Sequence, residues 1–319
     1  MTERLPRAAL VIGAGFIGTH VCLALIERGV SVRVLNRSPL DGDRLARLAG
    51  CDVRTGDVNV RPSLRDALEG MNHVFYCAGG LMPFESNLDP VADVTLSVPP
   101  LLNVLQELRD HPGVALTYVS SGGTVYGDPQ YVPVREDHPT APITSYGVLK
   151  VACEHYALMY NRLYGVRTRV LRCSNAYGEF QPAARGQGFI AAALKRLSER
   201  RPLVLFGDGL NVRDYVFAPD IARVMVDLSA RSGGPTVLNV GSGEGITLLD
   251  LVALLERITG RKAQVELRPD RGFDVRRVVL DTTALRAVLP FTATSLEEGI
   301  AATWSAAYET PDGAATPGP

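Results

Sequence analysis

One glycine-rich segment constrains the fold of this chain more than any other stretch; it reads Gly13-Ala14-Gly15-Phe16-Ile17-Gly18. It follows a short apolar run, residues 8–12, and precedes a helical pattern over residues 19–28. In such a strand–turn–helix unit, glycines let backbone amides approach a pyrophosphate, and the helix N-terminus favours its negative charge. A dinucleotide site is therefore predicted here, with a tight turn lacking any ligand as the alternative. The expected contact residues are Gly13, Gly15, Phe16, Ile17 and Gly18.

Apolar runs alternate with helical patterns through the first half of the chain, which predicts a parallel, doubly wound α/β sheet. The expected strands are residues 8–12, 31–35, 51–55, 72–77, 115–119 and 166–171. After Gly178 this regularity weakens, and a smaller C-terminal α/β lobe is expected. The predicted organisation is a cofactor domain over residues 1–175 with a returning segment near 213–242, a substrate lobe over 176–308, and a disordered tail over 309–319.

Further cofactor contacts are expected where the next strands end. An acidic residue after the second strand would bind the adenosine ribose of NAD, but this chain has Asn36 and Arg37 there. Asn36 can still bond a hydroxyl, and Arg37 could face a 2′-phosphate, so NADP stays open beside NAD. The remaining expected contacts are Asp57 and Val58 after the third strand, and Cys77, Ala78 and Gly79 after the fourth.

Tyr146 and Lys150 are spaced so that, on a helix, they project from one face. A nearby ammonium lowers the pKa of a phenol, and a phenol tuned in this way can exchange a proton with a sugar hydroxyl. The pair alone is a weak signal, because exposed helices often carry such residues. It gains weight from the hydroxyl-rich segment at residues 120–127, which follows the fifth strand.

Composition narrows the possible partners. The 319 residues carry a formal net charge of −1, which gives no reason to expect nucleic acid or a membrane surface. Five scattered cysteines indicate reduced thiols in a cytoplasmic protein, and five dispersed histidines suggest no metal site. In the second half, Arg213 and Arg271 could neutralise a substrate diphosphate, although most single arginines are solvated surface charges.

Taken in order, these motifs resemble the extended short-chain dehydrogenase/reductase family, specifically its nucleotide-sugar epimerases of the UDP-glucose 4-epimerase type. The likeness runs from Ala9 to about Trp304 and includes residues 56–58, 119–127, 174–178, 207–215 and 271–274. It implies a Rossmann-type domain that holds NAD tightly and a smaller lobe that holds a nucleotide-diphosphate sugar, expected to be UDP-linked. It also implies a homodimer formed through a four-helix bundle of the helices near 100–109 and 145–163.

The resemblance implies roles for single residues. Tyr146 would be the acid/base on the sugar 4-hydroxyl, and Lys150 would bond the nicotinamide ribose and assist the tyrosine. The implied substrate contacts are Asn175 near the phosphate and sugar, Phe206 by the uracil, Arg213 and Arg271 at the diphosphate, and Asp274 at the ribose or at the arginine that holds it.

One departure concerns the catalytic hydroxyl. The family's serine or threonine stands three residues before the valine of Val-Tyr-Gly, and this chain has Gly122 there. Either Ser121 or Thr124 must then take the role. Ser121 is favoured, because the two glycines at 122 and 123 would give the loop freedom to present it.

The expected reaction is oxidation at C4 of the sugar by hydride transfer to the nicotinamide, rotation of the 4-keto sugar, and return of the hydride to its other face. A UDP-glucose/galactose pair, UDP-glucuronate or an N-acetylated sugar could be the substrate. Arg185 could pair with a glucuronate carboxylate, and the small Val278 could leave room for an N-acetyl group.

Three other activities compete with this expectation. Arg37 keeps an NADPH-dependent 4-keto-sugar reductase open. A 4,6-dehydratase would want an acidic pair where Gly123 and Thr124 stand, which ranks it low. A non-catalytic dinucleotide sensor would have no use for the Tyr146/Lys150 pair.

Overall fold

The computed structural model describes residues 4–183, 188–272 and 274–309. Its strands, in chain order, are β1 (Ala8–Ile12), β2 (Ser31–Asn36), β3 (Asp52–Thr55), β4 (His73–Tyr76), β5 (Ala115–Ser121), β6 (Thr168–Cys173), β7 (Asn175–Tyr177), β8 (Leu203–Phe206), β9 (Val212–Arg213), β10 (Tyr215–Phe217), β11 (Val237–Val240), β12 (Ile246–Thr247), β13 (Val265–Arg268) and β14 (Arg277–Val278). Its helices are α1 (Phe16–Glu27), α2 (Gly42–Arg47), α3 (Arg61–Leu68), α4 (Pro83–Leu88), α5 (Pro90–Arg109), α6 (Ser145–Tyr164), α7 (Phe189–Ser198), α8 (Ala218–Ser229), α9 (Leu248–Thr259), α10 (Thr283–Val288) and α11 (Leu296–Tyr308).

The central sheet has seven strands in the order β11-β6-β5-β4-β1-β2-β3, and every neighbouring pair is parallel. This confirms the predicted doubly wound parallel sheet of the Rossmann type. The order reverses between β1 and β4, so a crevice forms at the carboxyl ends of these strands, where open α/β sheets bind ligands. The glycine segment therefore opens into the crevice.

Apolar clusters cover both faces of the sheet. One face packs against α1 and α8 through residues such as Leu25 and Met225, and the other packs against α3, α5 and α6 through residues such as Leu105 and Ala157. Helices on both faces explain why the four residues Ala9–Ile12 of β1 are all buried.

The chain leaves the central sheet after β6 and later returns to it. Strands β7 to β10 belong to three small sheets, and then α8 packs on α1 and β11 pairs with β6. The segment predicted to return, near 213–242, contains these two elements. The predicted boundary between the cofactor and substrate domains stays a prediction.

The second half is built from short pieces. Its sheets are β10-β7, β12-β9-β14 and β13-β8, and a separate apolar cluster joins α7, α9 and α11 around Leu194, Leu255 and Trp304. The smaller C-terminal lobe expected from the sequence has these elements. The predicted tail lies outside the described residues from position 310 onward.

One helix begins earlier than the sequence predicts, and another contains two prolines. Helix α1 begins at Phe16 instead of residue 19, so Gly18 lies inside it. Helix α5 runs through Pro99 and Pro100 without a break, although both prolines favour a disturbed course. Burial of Leu101 and neighbouring apolar residues against the sheet holds this helix together. Within the described segments, none of the helices has the length and apolar character needed to cross a bilayer.

Candidate active site

The three glycines of the first turn have two different functions. Gly13 has φ +88°, and a Cβ there would lie 2.8 Å from the Ala78 Cα. A Cβ on Gly18 would stand 2.0 Å from the Gly13 carbonyl oxygen, so α1 can approach β1 only with glycine at this position. A Cβ on Gly15 would meet open space. The first and last glycines therefore shape the turn, and the middle one leaves a free approach to its backbone.

The N-terminus of α1 is prepared for an anion. Its N-cap residue, Gly15, offers no side-chain hydrogen bond, and the first turn contains no acidic residue. The first amides of the helix therefore keep their donors and their positive end of the dipole for a ligand. Phe16 is half-buried beside His20, and Ile17 packs on the apolar cluster beneath the helix. This arrangement fits the pyrophosphate of a dinucleotide.

The other predicted cofactor residues lie along the same edge of the sheet. The Asn36 Nδ2 donates to the Ser38 carbonyl at 2.5 Å, and the Asp57 carboxylate accepts the Asn59 amide at 2.8 Å. Arg37 is exposed and forms no hydrogen bond or ion pair with the residues that the structure describes. Val58 packs on the apolar cluster behind β2 and β4.

Tyr146 and Lys150 line one small pocket together with the backbone that follows β4. Its other walls come from Tyr76, Ala78, Gly79, Gly80, Ser97, Tyr118, Leu149 and Cys153. The Lys150 Nζ donates to the Val119 carbonyl at 2.9 Å and lies 5.6 Å from the centre of the Tyr146 ring. The phenol and the ammonium therefore share the pocket that adjoins the glycine turn. Cys77 lies against that turn, because a Cβ on Gly18 would stand 3.3 Å from the Cys77 Cβ.

Helix α6 presents this pair because its first turn is well defined. The Thr144 hydroxyl caps the helix by accepting the Gly147 amide at 3.2 Å, and the Asn87 side chain accepts the Ser145 amide at 2.9 Å. A Cβ on Gly147 would lie 2.9 Å from the Thr124 carbonyl, so the helix start packs directly on the loop after β5.

The two candidate hydroxyls differ in their surroundings. The Thr124 Oγ1 donates to the Ser121 carbonyl at 3.4 Å, whereas the Ser121 hydroxyl has no protein partner among the described residues. Gly122 is buried, and a Cβ there would lie 2.6 Å from Leu280 Cδ1 and 2.9 Å from the Arg172 carbonyl. The glycine at 122 is therefore required by close packing, and not by the loop freedom that the sequence predicted.

Sequence reasoning missed a buried ionic network behind this loop. Glu154 and Arg172 are almost fully buried, and Arg172 donates to Glu154 from Nε at 3.0 Å and from Nη2 at 2.7 Å. The Ser120 hydroxyl also donates to Glu154, and Arg172 Nη1 donates to the Tyr126 hydroxyl at 3.0 Å. Glu154 follows Lys150 by one helical turn, a spacing that could have revealed its direction.

The predicted diphosphate residues gather at the edge of the smaller lobe. Arg271 forms two 2.7 Å hydrogen bonds to Asp274 and lies over the Phe206 ring, 4.5 Å from its centre. Arg213 is half-buried, and its Nη1 donates to the Val212 carbonyl at 3.0 Å. Burial lowers the pKa of Arg213, as does the nearby charge of Arg271. Four of the predicted substrate residues therefore lie in one region, and an anion there would offset the cost of burying Arg213.

Asn175 lies between the loop after β5 and the segment that contains Asp214. Its Nδ2 donates to the Asp214 carbonyl at 2.9 Å, and its side-chain oxygen would lie 3.6 Å from a Cβ on Gly123. The Asp214 carboxylate is fully buried and accepts hydrogen bonds from Ser174, Ser242, Gly243 and Leu280. Burial raises the pKa of Asp214 against the opposing effect of these donors.

Two further expectations have plain outcomes. Arg185 lies outside the described residues. Val278 is buried in an apolar cluster with Val125, Tyr126 and Leu280, and the room it could leave for an N-acetyl group stays a prediction. Among the described side chains, no group of three or more His, Cys, Asp or Glu residues is placed to hold a metal ion.

Comparison with known proteins agrees with this geometry. Residues 9–241 match the model of the NAD dependent epimerase/dehydratase family. A UDP-glucose 4-epimerase of Mycolicibacterium smegmatis is 32% identical over 303 residues, which cover 92% of this chain and 96% of that protein.

Two solved structures have the same fold along almost their whole length. The UDP-glucose 4-epimerase of Thermotoga maritima, determined with UDP-glucose, has a TM-score of 0.87 and 31% identity, covering 93% of this chain and 97% of that one. The Thermus thermophilus UDP-glucose 4-epimerase, in complex with NAD, has a TM-score of 0.86 and 29% identity, covering 93% and 98%. The turn, the Tyr146/Lys150 pocket and these matches lead to one conclusion: the chain belongs to the NAD-dependent epimerase/dehydratase family.

Proposed function

We propose that this protein is an NAD-dependent 4-epimerase of a nucleotide-diphosphate sugar, with a UDP-sugar as substrate. The observation that carries the proposal is the shared pocket of Tyr146 and Lys150, which adjoins the glycine turn through Ala78 and Gly79. A base, a cation and a cofactor site in one place suit the removal of a proton from the sugar 4-hydroxyl and of a hydride from C4, the carbon that bears it. UDP-glucose is the first substrate to test, because the Thermotoga maritima relative was determined with it.

Tyr146 takes the proton of the sugar 4-hydroxyl and later returns it. Lys150, anchored to the Val119 carbonyl, holds its ammonium 5.6 Å from the centre of the Tyr146 ring. Ser121, whose hydroxyl keeps its donor free, bonds the same sugar oxygen and passes the proton. NAD, which the glycine turn and the backbone at Ala78 and Gly79 would hold, would supply the acceptor for the C4 hydride and the donor for its return to the other face of the sugar.

The substrate diphosphate binds to Arg213. This guanidinium is half-buried and has no carboxylate partner within ion-pair distance among the described residues, so a diphosphate supplies the charge that it lacks. Asp274 holds Arg271 over the Phe206 ring, and there Arg271 binds the nucleoside end of the substrate. Asn175 lies next to the sugar. Together these contacts hold the nucleotide while the 4-keto sugar rotates.

A 4-keto-sugar reductase is the second candidate, favoured by one observation. Arg37 is exposed at the end of β2, where a 2′-phosphate of NADP would lie. A reductase would consume NADPH in every turnover, whereas an epimerase would not.

Incubation with UDP-glucose, UDP-glucuronate and UDP-N-acetylglucosamine in separate reactions tests the proposal, with the C4 configuration followed by NMR. Inversion of at least one sugar without stoichiometric cofactor is expected. If none inverts, while a nucleotide-linked 4-keto sugar consumes NADPH, the reductase is the correct function.

We also propose that the protein acts as a cytoplasmic homodimer. Helix α6 exposes Val148, Met159 and Leu163 to solvent, and the neighbouring helix α5 exposes Val91 and Val94. An apolar face on two long neighbouring helices suits a four-helix interface with a second copy. All five cysteines are unpaired thiols, which supports a reducing compartment.

A further inference from the structure

A short segment after β7 fastens the second half of the chain to the cofactor domain. It contains Glu179 and Phe180, and Phe180 has φ +66°. A bulky side chain in the left-handed backbone region is a rare, strained conformation that persists only where surrounding contacts hold it. The contacts of Phe180 therefore indicate what this strain maintains.

Two arginines of α2 hold the phenylalanine. The guanidinium carbons of Arg44 and Arg47 lie 5.8 Å and 5.4 Å from the centre of the Phe180 ring, within the range of cation–π attraction. Arg44 Nη2 also donates to the Phe180 carbonyl at 2.8 Å, and Arg47 forms an ion pair with Glu179 at 3.2 Å. Helix α2 therefore binds the backbone and the ring of Phe180 as well as the carboxylate of Glu179. This helix follows Asn36, which belongs to the expected adenosine site.

The same segment contacts α1 on its other side. The His20 ring lies 5.3 Å from the Phe180 ring, and its Nε2 lies 3.0 Å from the Glu179 carbonyl, which can only accept. His20 in turn meets the edge of Phe16, which directly follows Gly15 at the helix N-terminus. Burial lowers the pKa of His20 to about 4, so the ring is neutral near neutral pH and this contact stays in place. The segment thus bridges the two helices that flank the adenosine and pyrophosphate sites.

We propose that Phe180, held by Arg44 and Arg47, is a cofactor-retention residue that keeps the dinucleotide bound between catalytic cycles. The Glu179–Phe180 bridge joins α1 and α2, the helices that follow the glycine turn and the end of β2, so these helices can move apart around a cofactor only if the bridge is released. The inference rests on the proposed function only in that both need bound NAD. Retention suits an epimerase, because each turnover regenerates the cofactor in its starting form and requires no exchange.

The positions of Arg44 and Arg47 also distinguish a role in cofactor retention from recognition of a 2′-phosphate. Arg44 and Arg47 both point their guanidinium groups at Phe180, so neither faces the end of β2 as a free cation. Arg37 is the described arginine left exposed there. The two α2 arginines therefore act through Phe180 and not through a direct charge on the cofactor.

The test measures release of NADH from the purified holoenzyme after it is loaded, diluted and followed by fluorescence. Phe180→Ala should release NADH at least about ten-fold faster than the wild type. Phe180→Tyr, which keeps the aromatic face, should release it at the wild-type rate, whereas Phe180→Leu should resemble the alanine variant. Arg47→Gln, which leaves Phe180 in place, provides a second arm and should accelerate release about three-fold.

The matched control is Arg261→Ala. Arg261 forms a comparable cation–π contact with Trp304, 5.4 Å from its ring centre, in the smaller lobe. It should leave NADH release unchanged. Wild-type release rates in both Phe180→Ala and Arg47→Gln, or equal acceleration in the control, would overturn the proposal. Because the readout is cofactor release, a failed epimerisation assay with altered release separates this inference from the proposed function.

Discussion

Gly122 and Leu280 are packed so closely that a Cβ on the glycine would stand 2.6 Å from Leu280 Cδ1. Leu280 is fully buried with Val125 and Val134, so it has no space to withdraw. The position where the resemblance places a catalytic serine or threonine therefore cannot hold a side chain in this chain. The hydroxyl has to come from a neighbouring residue.

The first prediction separates the two neighbours. Ser121→Ala should lower kcat about 100-fold, because loss of an acid/base partner costs roughly that factor. Thr124→Ala should change kcat by less than about three-fold, because the hydroxyl is used within the loop. Steady-state epimerisation rates decide between them, and thermal unfolding of both variants shows whether the loop is intact. The reverse ranking would move the role to Thr124.

The second prediction concerns the phenol. Tyr146→Phe keeps the ring and removes the hydroxyl, so kcat should decrease about 1,000-fold while bound NAD stays at the wild-type level. Lys150→Met should also lower kcat, and it leaves the Val119 carbonyl without its donor. Rate and cofactor content are measured on the same preparations. Unchanged turnover in Tyr146→Phe would remove the tyrosine from the mechanism.

A third prediction tests the diphosphate site. Arg213→Met should weaken UDP binding about 10- to 100-fold, the effect of losing one or two hydrogen bonds to a charged group. The control is Arg276→Met, because Arg276 pairs with Asp208 on the surface at 2.8 Å and should change affinity less than about two-fold. Isothermal titration with UDP measures both. Equal affinities would place the diphosphate elsewhere.

The fourth prediction addresses the α5/α6 face. Val148→Arg places a charge in the proposed interface and should convert the dimer into a monomer, because a buried unpaired charge is costly. Leu267→Arg is the control, since Leu267 is also exposed but lies on β13 of the smaller lobe. Light scattering after size-exclusion chromatography gives the mass of each variant. A wild-type monomer at micromolar concentration would end the dimer proposal.

The fifth prediction follows from two buried histidines. Burial lowers the pKa of His73 from 6.5 to about 3 and that of His20 to about 4, so both are neutral in the folded protein. Between about pH 6.5 and 4, the unfolded chain binds more protons, and stability therefore falls as pH falls. Each histidine contributes a slope of about 1.4 kcal/mol per pH unit.

Urea unfolding at pH 7 and pH 5 measures this effect. In His73→Gln, the loss of stability between the two pH values should be smaller than in the wild type. An identical pH dependence in the variant would show that His73 does not titrate as its burial requires.

Local patterns predicted the parts of the site that depend on neighbours in sequence. The glycine turn sits between one strand and one helix, and the Tyr146/Lys150 spacing lies within one helix. Both could be recognised because the helical period and the turn geometry act over a few residues. The candidate substrate site in the smaller lobe was harder to predict from the sequence. Arg213 and Arg271 come together there through pairing of short strands that have no strong pattern of their own.

The remaining features depend on contacts between distant residues. Glu154 meets Arg172 across the sheet, and Phe180 meets Arg44 from another part of the chain. Ser97 joins the Tyr146 pocket from α5, which carries no motif at that position. A single sequence does not show which distant residues come into contact. These residues can therefore be identified only in the folded structure.

Strand β11 has a consequence for how the protein is made. The edge of β6 that it covers lies between Thr168 and Cys173, and its partner begins only at Val237. On the ribosome, that edge stays open while the whole intervening stretch is translated, and an open edge of this kind pairs readily with other chains. Slow codons or a stalled ribosome in this interval would therefore favour aggregation of the nascent protein, and a chaperone that covers β6 would prevent it.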